Sequence, residues 1–241
     1  MKRLGIVQPG PLRNIITCLP IAKWYSEEGY EIIWPVDKNL IKNLQGYIDY
    51  AKFVPIDFHG EAARQYLKTQ SCADIIDLSL YIPGASIFNM EVFMYQNKYT
   101  YDLFMYTLAN LPITEKWRLD IKRNHAKEEE LYNKLVGDEK DYVVLSTKSF
   151  YGNRDDIVYE GELKQIVHTP LTDSIFDWIK ILENAKMLAL INGSMHCLVD
   201  QLRLNKTAQK IVLVTNLVNG MKTHTGFFKN QPQVGTIWQG S

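Results

Sequence analysis

The chain has 241 residues with 27 basic and 27 acidic side chains, a formal net charge of zero. That length suits one large α/β domain or two of about 100–120 residues each, and the charge balance excludes a whole-protein field that would draw in nucleic acid or an anionic membrane. Three cysteines with no CxxC point to free thiols in a reducing compartment, and no apolar run reaches the ~18 residues that span a bilayer, so a soluble cytoplasmic protein is expected.

LGIVQ (4–8) is a short apolar run rich in branched residues, which reads as a buried strand. The MKR that precedes it is basic, but the apolar stretch stops at the first loop, so no signal peptide is expected. PGPLRN (9–14) has loop chemistry, and IITCLPIAKWYSEEG (15–29) places apolar residues at helical spacing before a glycine stop. YEIIWPV (30–36) is the next strand. Two parallel strands joined by a helix put 9–14 at the carboxyl edge of a sheet, where open α/β sheets bind ligands. A short helix is expected over 39–48, a strand over 51–56, a helix over 60–70 and a strand over 73–80. Residues 88–111 are rich in Tyr, Phe and Met and read as a long helix, and across the whole chain core packing is the main use expected of the aromatics. Within 113–141, AKEEELYNKLV is a helix with one apolar face, and its EEE run a solvated one.

A second alternation follows. Strands are expected at 141–147, 165–168, 186–192 and 208–214. Helices are expected at 172–185, opened by the capping residues Thr172, Asp173 and Ser174, and at 193–202. Residues 215–241 receive no assignment. Two runs of strand–helix alternation imply an α/β fold with parallel sheets covered on both faces.

Neither GxGxxG nor GxxxxGK[ST] occurs, which sets aside NAD binding and ATP hydrolysis. GxSxG is also absent, and the five histidines show no metal spacing. The sharpest candidate is INGSMH (191–196). Gly193 permits close backbone approach, Ser194 is placed as the helix cap, and a helix N-terminus holds phosphate without further special residues. An ordinary αβ turn without ligand is the plain alternative. TPLTDS (169–174) lies on the same expected edge, where its groups either cap the next helix or touch a nucleoside. Lys148 and Arg154 flank the loop after strand 141–147 and would neutralise a diphosphate leaving group, or be solvated loop charges.

QPGPLRNIITCLPIAKWYSEEGYEIIWPV resembles the opening of GT-B glycosyltransferases, in particular the ADP-heptose:lipopolysaccharide heptosyltransferase family with its bacterial and viral relatives. That group shows a strand, a loop ending in Gly-Asp, and a helix carrying Leu-Pro, here Leu19-Pro20. DSIFDWIKILENAKMLALINGSMHCLVDQL resembles the family's donor-binding segment, in which a small-residue helix carries a histidine, and ITEKWRLDIKRN resembles an inter-domain segment. The resemblance implies two Rossmann-like domains facing each other: 1–112 for the acceptor, 113–140 as a helical connector, 141–241 for the donor. It implies transfer of a hexosyl or related sugar from a nucleotide-diphosphate donor to a glycan or other hydroxyl acceptor, with no metal and no cofactor beyond the nucleotide-sugar substrate. Donor contacts then fall to Lys148, Arg154, His168, Thr169, Asp173, Asn192, Gly193, Ser194 and His196, while Arg13 and Asn14 line the acceptor side. The chain departs from the pattern where relatives carry Gly-Asp, which here is Arg13-Asn14, and where an acidic residue precedes the small-residue helix, which here is Asn192. Asparagine is no general base near neutral pH, so Asp37, Asp57 or His59 would take the proton, or the acceptor is activated differently. Otherwise the protein is a catalytically silent nucleotide-sugar or glycan binder of the same fold, or a Rossmann-like enzyme of other chemistry.

Overall fold

The computed structural model describes residues 1–57, 60–79, 100–149, 152–153, 159, 161–191, 193–204 and 210–214, with backbone alone at 148–149, 152–153 and 210–214. The expectations that fall on 88–99, His59, Arg154, Asn192 and 215–241, and on the side chain of Lys148, lie outside the described residues. The chain divides into two compact units, Met1–Lys122 and Arg123–Ser241.

In the first unit, β1 (Lys2–Val7), β2 (Tyr30–Asp37), β3 (Lys52–Ile56) and β4 (Asp74–Asp77) form one parallel sheet in the order β3-β2-β1-β4. Its central strands read as unbroken apolar runs because both faces are covered. Between β1 and β2 runs α1 (Leu12–Glu27), whose residues from Ile15 to Ala22 are all buried. The helix starts three residues earlier than its apolar periodicity suggests. Pro11 takes the capping position with its φ already helix-compatible, and Leu12-Arg13-Asn14 form the first turn instead of a loop. The segment expected as a helix over 39–48 is a 3₁₀ turn, Lys38–Leu40, running into one α-turn, α2 (Ile41–Leu44). Gly46 then ends it at φ +86°.

The helix α3 (Gly60–Thr69) places Ala63 and Leu67 against Val7 and Ile33. A Cβ on Gly5 of β1 would lie 2.9 Å from both Leu67 methyls, so the strand and helix approach as closely as they do because this residue has no side chain. Gly5→Val is expected to lower the unfolding free energy by about 2 kcal/mol through overpacking, measured by urea denaturation. The helix α4 (Tyr101–Leu108) is tied to α1: the Tyr106 hydroxyl donates to Thr17 O (3.2 Å) and that of Tyr25 to Ala109 O (2.9 Å). A 3₁₀ turn, Ile113–Arg118, also joins this unit. Lys116 pairs with Asp102 at 2.9 Å, Arg118 with Glu27 at 2.6 Å, and Lys122 N donates to Tyr47 O at 2.8 Å.

The second unit opens with α5 (His125–Leu135), capped by Asn124 on Lys127 N. Its EEE run is not wholly solvated. Glu128 is 1% exposed and bonded to Arg123, which also reaches Glu183 at 2.7 Å and 2.8 Å. A charge alternation read from sequence cannot show that one member of a run turns inward to meet a distant cation. Then come β5 (Tyr142–Ser146) and two short antiparallel strands, β6 (Lys148–Ser149) and β7 (Gly152–Asn153). β8 (Lys164–Val167), β9 (Met187–Ile191) and β10 (Lys210–Val214) complete a parallel sheet of order β10-β9-β5-β8. The helix expected over 172–185 is a 3₁₀ turn, Ile175–Trp178, followed by α6 (Ile179–Asn184), and β9 leads into α7 (Ser194–Gln201). Trp34, Tyr106, Tyr142, Phe176 and Trp178 are fully buried, the core use expected of the aromatics.

The Tyr142 hydroxyl donates to Ile181 O at 2.7 Å inside this core, and burial pushes its pKa well above the ordinary tyrosine range, making it a weaker acid. A phenol that stays neutral when folded but ionises when unfolded contributes stability that is present below about pH 10 and lost above it. Tyr142→Phe is expected to cost about 1 kcal/mol at pH 7 and to lessen the fall in stability between neutral and alkaline pH, followed by urea denaturation at both.

Candidate functional site

In an open α/β sheet the chain runs from its first strand toward one edge and then returns to the other side of that strand. The crevice at this reversal, outside the carboxyl ends of the strands, is where ligands bind. In the second sheet the order puts the reversal at the β5–β9 pair, where Ser146 lies opposite Leu190. The segment after β5 enters β6 at Lys148, and the segment after β9 is Gly193-Ser194. Two of the sequence-chosen groups therefore arrive from the two strand ends that flank the crevice.

Gly193, and not Ser194, is the helix cap. Its backbone is extended, its carbonyl accepts from Cys197 N at 3.1 Å, and Ser194 is the first helical residue. No side chain caps this terminus, and its first turn holds no acidic residue. The leading N–H groups of a helix have no partner within it and carry its positive end, so this terminus suits an anion. Gly193 is buried, Ser194 and His196 half-buried.

The neighbouring loop leaves β8, on the other side of β5. His168 N donates to Leu145 O at 2.7 Å, and its ring stands edge-on to Trp178 at 4.7 Å between centroids. Thr169 O accepts from Leu171 N at 2.8 Å in a tight turn. Of the three residues expected to cap the next helix, Ser174 does so, accepting from Phe176 N at 3.2 Å. Thr172 instead donates its hydroxyl to Ser174 O at 2.8 Å. Asp173 is exposed, and the acid in the first turn is Asp177, fully buried. The reason is geometric: the 3₁₀ turn starts at Ile175, so the residue immediately before it has the capping position.

In the first sheet the reversal falls between β1 and β4. Here the chain places Gln8, Pro9, Gly10 and the first turn of α1 on one side, and Leu78-Ser79 on the other. Arg13 Nε donates to Asn14 Oδ1 at 3.1 Å, and its guanidinium lies 5.8 Å from the Tyr101 ring centroid. Like α7, α1 begins without a side-chain cap or an acidic first turn. Asp37 ends β2 with its N–H on Pro9 O (2.9 Å), and its Oδ1 accepts from Asn39 N and Nδ2 at 2.9 Å and 3.0 Å. Asp57 is 84% exposed and paired with Lys38 at 2.7 Å, which holds its carboxyl below the usual range and the lysine above its own.

Sequence reading missed two groups here. Gln8 is 1% exposed and bonded to both sides of the crevice; the signal was a lone amide at the end of an apolar strand. Asp77 ends β4 and holds Arg64 Nε at 2.6 Å, with Ser79 donating its N–H (3.0 Å) and its hydroxyl (2.6 Å) to the other oxygen. Aspartates thus end or follow three of the four strands, at 37, 57 and 77. Among the described residues no three His, Cys, Asp or Glu side chains gather as a metal site, and no helix is long and apolar enough to cross a membrane.

No protein-family profile matches the chain, and no curated protein matches it by sequence. Among solved structures, a glycosyl transferase family 9 protein from Veillonella parvula is similar at 13% identity over 90% of this chain and 82% of that one, with a TM-score of 0.56. The E. coli heptosyltransferase WaaC, solved with ADP-2-deoxy-2-fluoro heptose, aligns over 92% of this chain and 91% of its own at 11% identity and a TM-score of 0.46. The same enzyme with ADP gives 90%, 91%, 12% and 0.44. In fold, the chain is similar to a GT-B glycosyltransferase of family 9.

Proposed function

We propose that the protein is a glycosyltransferase that moves a sugar from a nucleotide-diphosphate donor to a glycan or other hydroxyl acceptor. The observation that carries this reading is the uncapped Gly193–Ser194 terminus of α7 at the chain reversal of the second sheet, in a fold similar to a family 9 glycosyltransferase. A diphosphate leaving group develops negative charge as the glycosidic bond breaks, and helix N–H groups aimed there stabilise it without reorganising. We assign Lys148, Arg154, Asn192 and His196 to the diphosphate, and His168, Thr169 and Asp173 to the nucleoside. Departure of the diphosphate then needs no metal.

The first unit takes the acceptor. Asp37 is the base we propose: its strand end is tied to the β1–α1 loop through Pro9 O, and a carboxylate can take the hydroxyl proton that Asn14 cannot. Arg13 and Asn14 orient the acceptor. The test is a thermal-shift screen of nucleotide diphosphates with and without Mg²⁺, followed by transfer assays with the one that binds. Binding at a hundred times the dissociation constant stabilises by about 2.7 kcal/mol. One nucleotide diphosphate is expected to raise Tm independently of Mg²⁺, and Asp37→Asn to lower transfer about a hundredfold or more with nucleotide affinity unchanged.

A silent binder of the same fold is the second reading. It is favoured by the Arg13–Asn14 bond, which occupies the first turn of α1 with an amide and its cation rather than an acid. Asn14→Asp separates the two: transfer that arises only in that variant marks a silent binder.

A further inference from the structure

A buried amide is tolerated where its hydrogen-bonding groups are matched, and Gln8 meets that condition by joining segments that are distant in sequence. Its Nε2 donates to Leu78 O and to the Tyr101 hydroxyl (3.0 Å), and its Oε1 accepts from Gly10 N (3.4 Å). Its own carbonyl accepts from the Trp34 indole at 2.9 Å. One residue thus links the loop after β1, the end of β4, the middle of β2 and the start of α4, across the chain reversal of the first sheet. Gly10 sits at φ +140°, a conformation that side chains disfavour, immediately before Pro11 and the first turn of α1. On the far side of the amide, the Tyr101 ring lies against the Arg13 guanidinium, which donates to Asn14.

We propose that Gln8 and Tyr101 are positioning residues: the buried amide fixes the tyrosine, and its ring holds Arg13, and with it the Asn14 side chain, in one orientation at the start of α1. The inference rests on the reading of this edge as the acceptor side. A core amide that only satisfies a crowded backbone would leave Arg13 indifferent to Tyr101.

The test compares Tyr101→Phe, which keeps the ring and loses the hydroxyl, with Tyr101→Leu, which loses both. Gln8→Leu is the variant most at risk of not folding, so the tyrosine pair carries the decision. Each variant is first shown to be folded by its circular dichroism melt. Phenylglyoxal modification of Arg13 is then timed by peptide mass spectrometry, and nucleotide-diphosphate affinity, kcat and acceptor KM are measured. Arg13 is expected to react about fivefold faster in Tyr101→Leu, and less so in Tyr101→Phe, as its cation–π contact is lost or loosened. Acceptor kcat/KM is expected to fall by about ten- to a hundredfold with nucleotide affinity unchanged. An unchanged Arg13 rate in folded Tyr101→Leu overturns the proposal, as does a freed Arg13 with undiminished transfer. Wild-type protein that transfers nothing while Arg13 still responds to Tyr101 overturns the transferase reading and leaves the Gln8–Tyr101–Arg13 hold standing.

Discussion

Arg123→Ala is expected to destabilise the second unit by about 3–5 kcal/mol, the largest stability effect anticipated in the chain. Glu128 is 1% exposed, and Arg123 meets its carboxylate through Nε at 2.9 Å and 3.2 Å as well as through Nη2. The same guanidinium meets Glu183 at the end of α6, so α5 and α6 are joined through one cation. Hydrogen bonds to Glu128, then to Glu183, raise the guanidinium's affinity for its proton further above an already high value. Truncating the arginine leaves the Glu128 carboxylate buried without its cation, and desolvation then opposes folding in full. The combination Arg123→Met with Glu128→Leu is expected to recover most of the loss, because the cost lies in the orphaned charge rather than in lost contact area. Urea denaturation read by hydrogen exchange over α5 and α6 measures both. An equal loss in the single and double variants would assign the effect to packing.

Gly193→Asp is expected to weaken nucleotide-diphosphate binding about a hundredfold, since opposed like charges at a desolvated contact cost several kcal/mol. Gly193 is buried, caps α7 with extended backbone, and has no side chain of its own to satisfy the helix terminus. An aspartate at a capping position is ordinarily stabilising. The same substitution is therefore expected to keep or raise the Tm of the free protein while removing its affinity for the anion. Calorimetric titration alongside a melt reads the two effects separately. Undiminished affinity would move the diphosphate away from α7.

Much of the fold was legible because its strands are buried on both faces. Runs such as GIV, EIIWPV, YVVLS and MLALI are short, apolar and bounded by turn residues, and each became a parallel strand. Helix starts were harder. Pro11 is a loop residue by composition and a cap by geometry, so composition alone places Arg13 and Asn14 in a loop although they form a first turn. Ser174 and Gly193 show the same ambiguity, since residues suited to capping occur in clusters and only the backbone decides which of them has the position. At the site, the segments were found and the wiring was not. Gln8 looks like the last letter of a strand until its partners 70 and 93 residues away are known. Glu128 looks like one of three solvated acids until Arg123 turns toward it.

The position of β1 inside its sheet has a consequence for synthesis. A nascent chain can pair β1 with β2 early, since residues 2–5 meet residues 30–33. The other edge of β1 is filled only when residues 74–77 have emerged. Until then that edge presents unpaired backbone groups, a template for wrong pairing, and the Gln8 amide lacks its acceptor at Leu78. Ribosomal pausing before β4 would therefore expose the most aggregation-prone state of the amino-terminal unit, and the Gln8–Leu78 contact forms only as that window closes.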